Sequence, residues 1–166
     1  MVHLYLIRHA PAFERDRKRW PDDGLRPLTP EGVRKFRKAA AGLGCLAETV
    51  ACVLTSPLAR ARQTAEILSA VTRWPHAQPR QELAPGNTPE QVLAMLRGEK
   101  AESIVLVGHE PGLSELVAAS LCGPGARLAC ELRKGGAACL EFPSTVRADR
   151  ARLRWLLTPK VLRALA

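Results

Sequence analysis

The stretch Leu4-Tyr5-Leu6-Ile7-Arg8-His9 leads from four apolar residues directly into an arginine and a histidine. Two later stretches share this plan, since Val53-Leu54-Thr55-Ser56 precedes Arg60, and Ile104-Val105-Leu106-Val107-Gly108 precedes His109. Short runs rich in Val, Ile and Leu, each followed by helix-like sequence, are typical of buried parallel strands. Ligands of such sheets bind beyond the carboxyl ends of the strands. We therefore expect the two arginines and two histidines to share one site.

Helix signals follow these strands, which predicts an α/β fold with helices on both faces of a mostly parallel sheet, a three-layer αβα sandwich. Thr29-Pro30-Glu31 combines an N-cap, a first-turn proline and an acidic first turn. A helix is therefore expected to begin there and to run through Ala41. Gly42 and Gly44 are expected to end it.

The same cap-then-proline signal at Ser56-Pro57 predicts a second helix that runs to about Ala70. Arg60 then falls in the first turn, where a basic side chain opposes the helix dipole by a few tenths to about 1 kcal/mol. A nearby anion would relieve this mismatch. The other predicted elements are a short strand around 81–83, a helix over 88–98, a strand at 103–108, a helix from 110 to about 121, strands at 136–142 and 153–157 at the sheet's edge, and a last short helix after 158.

The segment from Ala10 to Leu28 is long, contains prolines and is crowded with charge at residues 14–19. A loop of this length in a compact domain is usually a functional lid or a disordered segment. Because it follows the first strand, it is expected to lie beside the site in either case. The sequence leaves open whether it closes as a lid.

The composition favours one domain that spans residues 1–166, because 166 residues with 46% apolar content can bury a substantial core. A formal charge of +9 favours acidic partners, among them nucleic acid, anionic lipid, phosphate esters and acidic proteins. Aromatic residues are few, and no stacking motif or arginine-glycine repeat is present. Nucleic acid is therefore not expected to be the main partner.

The five cysteines are an odd number without a Cys-x-x-Cys pair, so most of them are expected to be small apolar fillers. Cys52 and Cys139 fall in strand-like segments and are expected to be buried. The first residues lack the basic start and apolar stretch of a signal peptide, and no apolar run reaches membrane-spanning length. We expect a cytoplasmic protein with no membrane partner, and the sequence leaves the oligomeric state open, a monomer being compatible with it.

Two imidazoles and two guanidinium groups are suited to phosphoryl transfer. A neutral imidazole is a nucleophile toward phosphorus, and a covalent phosphoramidate divides one difficult displacement into two steps. Arginines near His9 disfavour its protonated form and bind phosphate oxygens through two N–H groups at once. The sequence contains neither a P-loop lysine motif nor an Asp-rich magnesium motif, so no metal or cofactor is expected.

The three motifs together resemble those of the histidine phosphatase superfamily, which has the phosphoglycerate-mutase-like fold. Residues 6–10, Leu-Ile-Arg-His-Ala, are similar to its Arg-His-Gly signature, with Ala10 in place of glycine. Residues 55–65, Thr-Ser-Pro-Leu-Ala-Arg-Ala-Arg-Gln-Thr-Ala, resemble the second motif, in which the arginine before Ala-x-Gln-Thr binds phosphate, and this selects Arg60 over Arg62. Residues 107–111, Val-Gly-His-Glu-Pro, are similar to the third.

The small size of the chain, its ending at residues 155–160 and the stretch at residues 110–114 look most like the SixA-type phosphohistidine phosphatase branch. The resemblance implies that His9 accepts the phosphoryl group, with Arg8, Arg60 and His109 as phosphate ligands. Glu110, next to the second histidine, is a further candidate for substrate binding. The chain lacks the Glu-rich insertion that carries a general acid in the sugar-phosphate and mutase branches.

This departure bears on the substrate, because a sugar alkoxide leaves poorly unless it is protonated. A phosphohistidine can leave as neutral imidazole when its far nitrogen already carries a proton. Glu82 is the best candidate for a general acid, ahead of Glu14 and Glu110, although exposed carboxylates are usually only solvated.

Three interpretations follow. The first is a metal-independent phosphatase that acts on phosphohistidine in a signalling protein through a phosphohistidine enzyme intermediate. The second is a phosphatase or mutase of the same superfamily that acts on a small phosphate ester. The third is a non-catalytic module that binds phosphate or nucleic acid, which the basic segments at residues 15–19 and 34–38 suggest.

Overall fold

The computed structural model describes residues 1–47 and 49–166, and these form a mixed sheet in the order β3-β2-β4-β1-β5-β6. Strands β1 to β4 pair in parallel, whereas β5 and β6 are antiparallel to their neighbours. β1 and β4 occupy the centre, and the apolar runs that predicted them are buried. The strands are Val2–Arg8 (β1), Cys52–Thr55 (β2), Gln78–Pro79 (β3), Ser103–Gly108 (β4), Ala137–Phe142 (β5) and Arg152–Leu157 (β6).

Helices cover both faces of this sheet. Each face has its own apolar core, one under α1, α2 and α5 and the other under α3 and α4. The predicted three-layer αβα sandwich is therefore confirmed. The helices are Pro30–Leu46 (α1), Ala59–Thr72 (α2), Pro89–Arg97 (α3), Gly112–Cys122 (α4) and Pro159–Ala164 (α5).

Helix α1 begins as predicted, with the Thr29 side chain accepting a hydrogen bond from the Gly32 backbone N–H. The prediction that glycines end it near residue 41 was wrong, because the helix continues to Leu46. Gly42 serves instead to let α5 approach, since a Cβ at this position would overlap the carbonyl oxygen of Leu162.

The second predicted helix and the predicted strand at 81–83 also need correction. α2 begins at Ala59 rather than at Ser56, and Leu58, the residue before it, has an extended backbone. The Ser56 hydroxyl accepts a weak hydrogen bond from the Leu58 N–H, at 3.3 Å. Residues 81–83 form a short 3-10 helix, and the strand of this region lies slightly earlier, where β3 pairs with β2.

The cysteines are less uniformly buried than expected. Cys52 and Cys139 lie in the core as predicted, but Cys45 and Cys122 are exposed and Cys130 is half-buried, so most are not simple core fillers. Within residues 1–47 and 49–166, no helix is both long and apolar enough to cross a membrane.

Candidate active site

The carboxyl ends of three neighbouring strands bring the predicted site residues together. In the sheet register Arg8 of β1 lies opposite Gly108 of β4, and Thr55 of β2 lies opposite Val107. The residue after β1 and the residue after β4 are therefore neighbours, and the backbone N–H of His9 donates to the carbonyl of Gly108 at 3.0 Å. The start of α2 follows β2 at the same edge.

The two imidazoles face each other at this edge. The ring centroids of His9 and His109 are 5.1 Å apart, with the ring planes inclined by 54°. Both residues are buried, with 6% and 7% of their surface exposed. A group that touched one ring from the space between them would therefore touch the other.

His9 is held in one orientation by the backbone. Its Nδ1 lies 2.7 Å from the carbonyl oxygen of Ala10, which can only accept, so the proton is placed on Nδ1 and Nε2 carries the free electron pair. The Ala10 N–H in turn donates to the Thr64 hydroxyl, and that hydroxyl donates to the Arg60 carbonyl. Burial, together with the charges of Arg60 and Arg8, lowers the pKa of His9 to about 4, against the raising effect of the Ala10 hydrogen bond.

His109 is fixed through its other nitrogen. Its Nε2 lies 2.8 Å from the hydroxyl oxygen of Ser56, the residue that follows β2. Burial, the neighbouring His9 and the two arginines lower its pKa to about 3. Both imidazoles are therefore neutral at physiological pH.

Arg60 lies in the first turn of α2, as predicted, and is pressed against the segment that follows β1. Its Nη1 donates to the carbonyl of Asp23 at 2.9 Å, and its Nη2 lies 3.2 Å from the carboxylate of the same residue. Arg26 holds that carboxylate from the other side, with Nε at 2.8 Å. The predicted proximity of residues 10–28 to the site is confirmed by these contacts.

Arg8 approaches from the end of β1. Its Nη1 donates to the carbonyl of Leu132 at 2.8 Å and lies 3.5 Å from the carboxylate of Glu131, a side chain that is 72% exposed. The Leu132 contact is the better defined of the two, because exposed ion pairs contribute little.

Three buried nitrogen atoms of this cluster have no hydrogen-bond partner among the described residues: Nε of Arg8, Nε of Arg60 and Nδ1 of His109. Buried polar groups are nearly always paired, so an unpartnered set in one place indicates a ligand that accepts hydrogen bonds. Two arginine N–H groups beside two neutral imidazoles suit a tetrahedral oxyanion. The arrangement can bind a phosphoryl group and present a nucleophilic nitrogen to it.

The three candidate glutamates differ in position. Glu110 has one carboxylate oxygen on the Leu132 N–H, at 2.7 Å, and the other on the hydroxyl and backbone N–H of Ser114. Glu110 therefore fixes the position of Leu132, whose carbonyl accepts the hydrogen bond from Arg8. Glu82 is half-buried in the 3-10 helix and lines a cavity together with His109. Glu14 is exposed on the charged segment.

Sequence reasoning missed several residues that position the site. Asp23 and Ser56 contact a predicted site side chain directly, and Leu132 does so through its carbonyl. The charge of Lys134, in the loop before β5, also acts on His9. Ser56 directly follows a strand, just as His9 and His109 do, and this position is the one feature of the sequence that could have identified it as a site residue. Among residues 1–47 and 49–166, no group of three or more His, Cys, Asp or Glu is placed to hold a metal ion.

The fold and the site define the class of protein: an α/β protein with a histidine-arginine anion site at the carboxyl edge of its sheet. Residues 4–84 match the family model of the histidine phosphatase superfamily (branch 1). A protein of Picosynechococcus sp. is 45% identical over 117 residues, which cover 69% of this chain and 70% of the relative.

Solved structures extend the match. The protein histidine phosphatase SixA, complexed with tungstate, is similar at 26% identity with a TM-score of 0.80, covering 97% of this chain and 99% of that one. A mycobacterial glucosyl-3-phosphoglycerate phosphatase in complex with VO3 shares the fold at 18% identity and a TM-score of 0.70, covering 95% of this chain and 100% of that one. The chain belongs to the histidine phosphatase superfamily, it is of the SixA type, and it is a phosphatase.

Proposed function

We propose that this phosphatase removes the phosphoryl group from phosphohistidine on a signalling protein, without a metal, through a covalent intermediate on His9. The observation that carries this proposal is the set of three unpartnered nitrogens beside His9, whose Nε2 carries a free electron pair. In this proposal residues 1–166 act as one catalytic domain in the cytoplasm.

In the first step His9 Nε2 attacks phosphorus while the bond from phosphorus to the substrate imidazole nitrogen breaks. The hydrogen bond from Nδ1 to the Ala10 carbonyl holds the proton away from the attacking nitrogen and stabilises the positive charge that develops on the ring. Arg8, Arg60 and His109 bind the equatorial oxygens, on which negative charge is spread in the transition state.

In the second step a water molecule attacks the phosphorus of phospho-His9, the bond to Nε2 breaks, and phosphate is released. The water loses a proton as it attacks, and Glu82 is the candidate acceptor because this residue lines the same cavity as His109. In the first step Glu82 would be the group that donates a proton to a poor leaving group. An imidazole that already carries a proton on its far nitrogen leaves without this help.

Glu110 has a different place in the proposal from the substrate contact that the sequence suggested. Both of its carboxylate oxygens are taken by Leu132 and Ser114. We propose that it positions Arg8 through the Leu132 carbonyl rather than binding the substrate itself.

The test is acid-labile labelling of the protein by a phosphohistidine peptide and by a panel of phosphate esters, including sugar phosphates. We expect label on wild type with the phosphohistidine peptide, and a fall in turnover of at least about 10³-fold in His9→Ala. His76→Ala is a matched control, because that histidine is exposed and lies outside the site.

A His9→Ala enzyme that still turned over substrate would overturn the mechanism. High turnover on a sugar phosphate with none on the phosphohistidine peptide would favour the small-ester alternative. Steeply salt-dependent DNA binding without phosphatase activity on any substrate would favour the binding-module alternative.

A further inference from the structure

A cavity of about 400 Å³ opens next to His109, on the face of the sheet covered by α3 and α4, whereas Arg60 belongs to α2 on the other face. One wall is the segment 82–89, and the other is formed by residues 108–116 at the end of β4 and the start of α4. This volume lies in the range of small-molecule sites, which are typically about 300–1,000 Å³. The cavity adjoins the catalytic cluster at His109, which belongs to its lining together with Glu82.

The charge of the lining is opposite to that of the whole chain. The protein has 25 lysines and arginines against 16 aspartates and glutamates, yet no lysine or arginine is found among the described residues that line the cavity. Its charged lining side chains are all glutamates, Glu82, Glu110 and Glu115. The rest of the wall is largely apolar and includes Leu83, Val92, Leu113 and Leu116.

A second anionic group on the substrate would therefore meet carboxylates and apolar surface beyond His109. Like charges brought together, or a charge placed on apolar surface without a partner, are unfavourable. An uncharged or cationic ring meets neither penalty and buries apolar area. The two sides of the site thus differ: one supplies N–H donors for the phosphoryl oxygens, and the other offers none of the cationic side chains that an anionic leaving group needs.

We infer that this cavity is the leaving-group subsite and that it selects uncharged or cationic, largely apolar leaving groups against leaving groups that carry a carboxylate or a second phosphate. This rests on the proposed catalytic role of His9 and deepens it, since a histidine imidazole with apolar neighbours in its peptide satisfies the requirement. Phosphorylated hydroxy acids and sugar bisphosphates do not satisfy it.

The first experiment compares three phenyl phosphates with 4-ethyl, 4-aminomethyl or 4-carboxymethyl groups. The ethyl and carboxymethyl phenols are nearly equal in acidity, so the charge of the leaving group is the variable between these two esters, and the aminomethyl ester is compared after correction for its more acidic phenol. We expect kcat/KM for the carboxymethyl ester to be at least about tenfold below that for the other two. Equal values for all three esters would overturn the inference.

Glu115→Gln removes one cavity carboxylate without touching the catalytic cluster. Because this side chain is exposed, we expect it to raise the ratio of kcat/KM for the carboxymethyl ester to kcat/KM for the ethyl ester by only about threefold. Glu90→Gln is the matched control, an exposed first-turn glutamate of α3 that lies outside the lining. The same change in both variants would assign the effect to net charge and contradict the subsite.

Ala84→Leu tests the volume of the cavity. The larger side chain extends from the wall formed by residues 82–89 and narrows the cavity. We therefore expect kcat/KM to fall about tenfold for the ethylphenyl ester and to change little for phosphoramidate, whose leaving group is only ammonia. Ala129→Leu, in an exposed loop outside this lining, is the control. An equal loss on both substrates would contradict the subsite.

The inference and the mechanism fail in different ways. If no ester and no phosphohistidine peptide labels His9, the proposed function fails. If His9 is labelled by all of them but neither the charge nor the size of the leaving group affects kcat/KM, the mechanism stands and the cavity has no part in selection.

Discussion

The two flanks of the site differ in charge and in packing. The closed flank, residues 11–28 together with Arg60, is held by ion pairs centred on Asp23. The open flank, residues 82–89 together with the start of α4, leaves a cavity of about 400 Å³ with apolar walls and carboxylates. In the proposed mechanism, the closed flank holds the phosphoryl group and the open flank admits the leaving group.

The closed flank orients Arg60 through one edge of its guanidinium group. Five N–H donors lie in a plane, and the two terminal nitrogens face the carbonyl and the carboxylate of Asp23. The edge that contains the unpartnered Nε is left for an anion. Asp23 is itself fixed by Arg26, whose Nη1 also donates to the carbonyl of Phe13 at 2.6 Å.

The largest effect is expected from removing the cation of the closed flank. Arg60→Ala should lower kcat/KM by about 10²–10³-fold, because it deletes a buried side chain that, in the proposed mechanism, donates to the transition-state oxygens. Arg62→Ala is the matched control, since Arg62 is an exposed arginine two residues along the same helix, and it should change kcat/KM less than twofold. Steady-state kinetics on a phosphohistidine peptide measures both. Similar losses in the two variants would mean that helix charge, not contact, is responsible.

A second large effect concerns pH, because the two imidazoles lie between the flanks. The folded pKa of His9 is about 4 and that of its unfolded form 6.5, so as pH falls through this window the unfolded chain takes up a proton that the folded protein does not. The free energy of unfolding should therefore fall, by on the order of 3 kcal/mol for His9 alone. His109, whose pKa is lowered to about 3, should extend the loss further into acid.

Urea denaturation at pH 7 and pH 4.5 measures this loss. Because carboxylates also titrate, the comparison is between wild type and His9→Asn, and the variant should lose less stability over the same interval. Inorganic phosphate should reduce the wild-type loss, since an anion between the rings favours their protonation. An identical loss in wild type and variant would contradict the low pKa of His9.

The sequence predicted the central strands and the meeting of the four side chains for a physical reason. A short apolar run predicts a buried parallel strand. The polar residue that follows the run then lies at the carboxyl edge of the sheet, as His9 and His109 do. The extension of α1 past Gly42 could not be predicted in this way, because it depends on how closely α5 approaches. The contact of Asp23 with Arg60 joins residues 37 apart through an irregular loop, for which local signals give no register.

A smaller effect is expected when Arg60 is kept but its support is weakened. Asp23→Asn retains the backbone carbonyl contact and loses the charge on the carboxylate, so kcat/KM should fall about tenfold, mainly through KM. Asp22→Asn is the control, because that side chain only accepts a hydrogen bond from the Gly24 N–H, which an asparagine oxygen can also accept. Tighter phosphate binding in Asp23→Asn would instead mean that this carboxylate competes with the substrate for Arg60.

The smallest effect is expected at Ser56, whose hydroxyl contacts His109 at 2.8 Å and accepts a weaker hydrogen bond from the Leu58 N–H at 3.3 Å. Ser56→Ala removes the hydroxyl 2.8 Å from Nε2 of that imidazole, and the net worth of one such hydrogen bond is about 1 kcal/mol. We therefore expect kcat to fall about fivefold, while charge selection among the phenyl esters, which depends on the open flank, stays the same. Ser56→Thr keeps a hydroxyl and should recover part of the rate. Because the Ser56 hydroxyl contacts both His109 and the Leu58 N–H, directly before the helix that carries Arg60, a variant that altered ester selection as well would show that the two flanks are not independent.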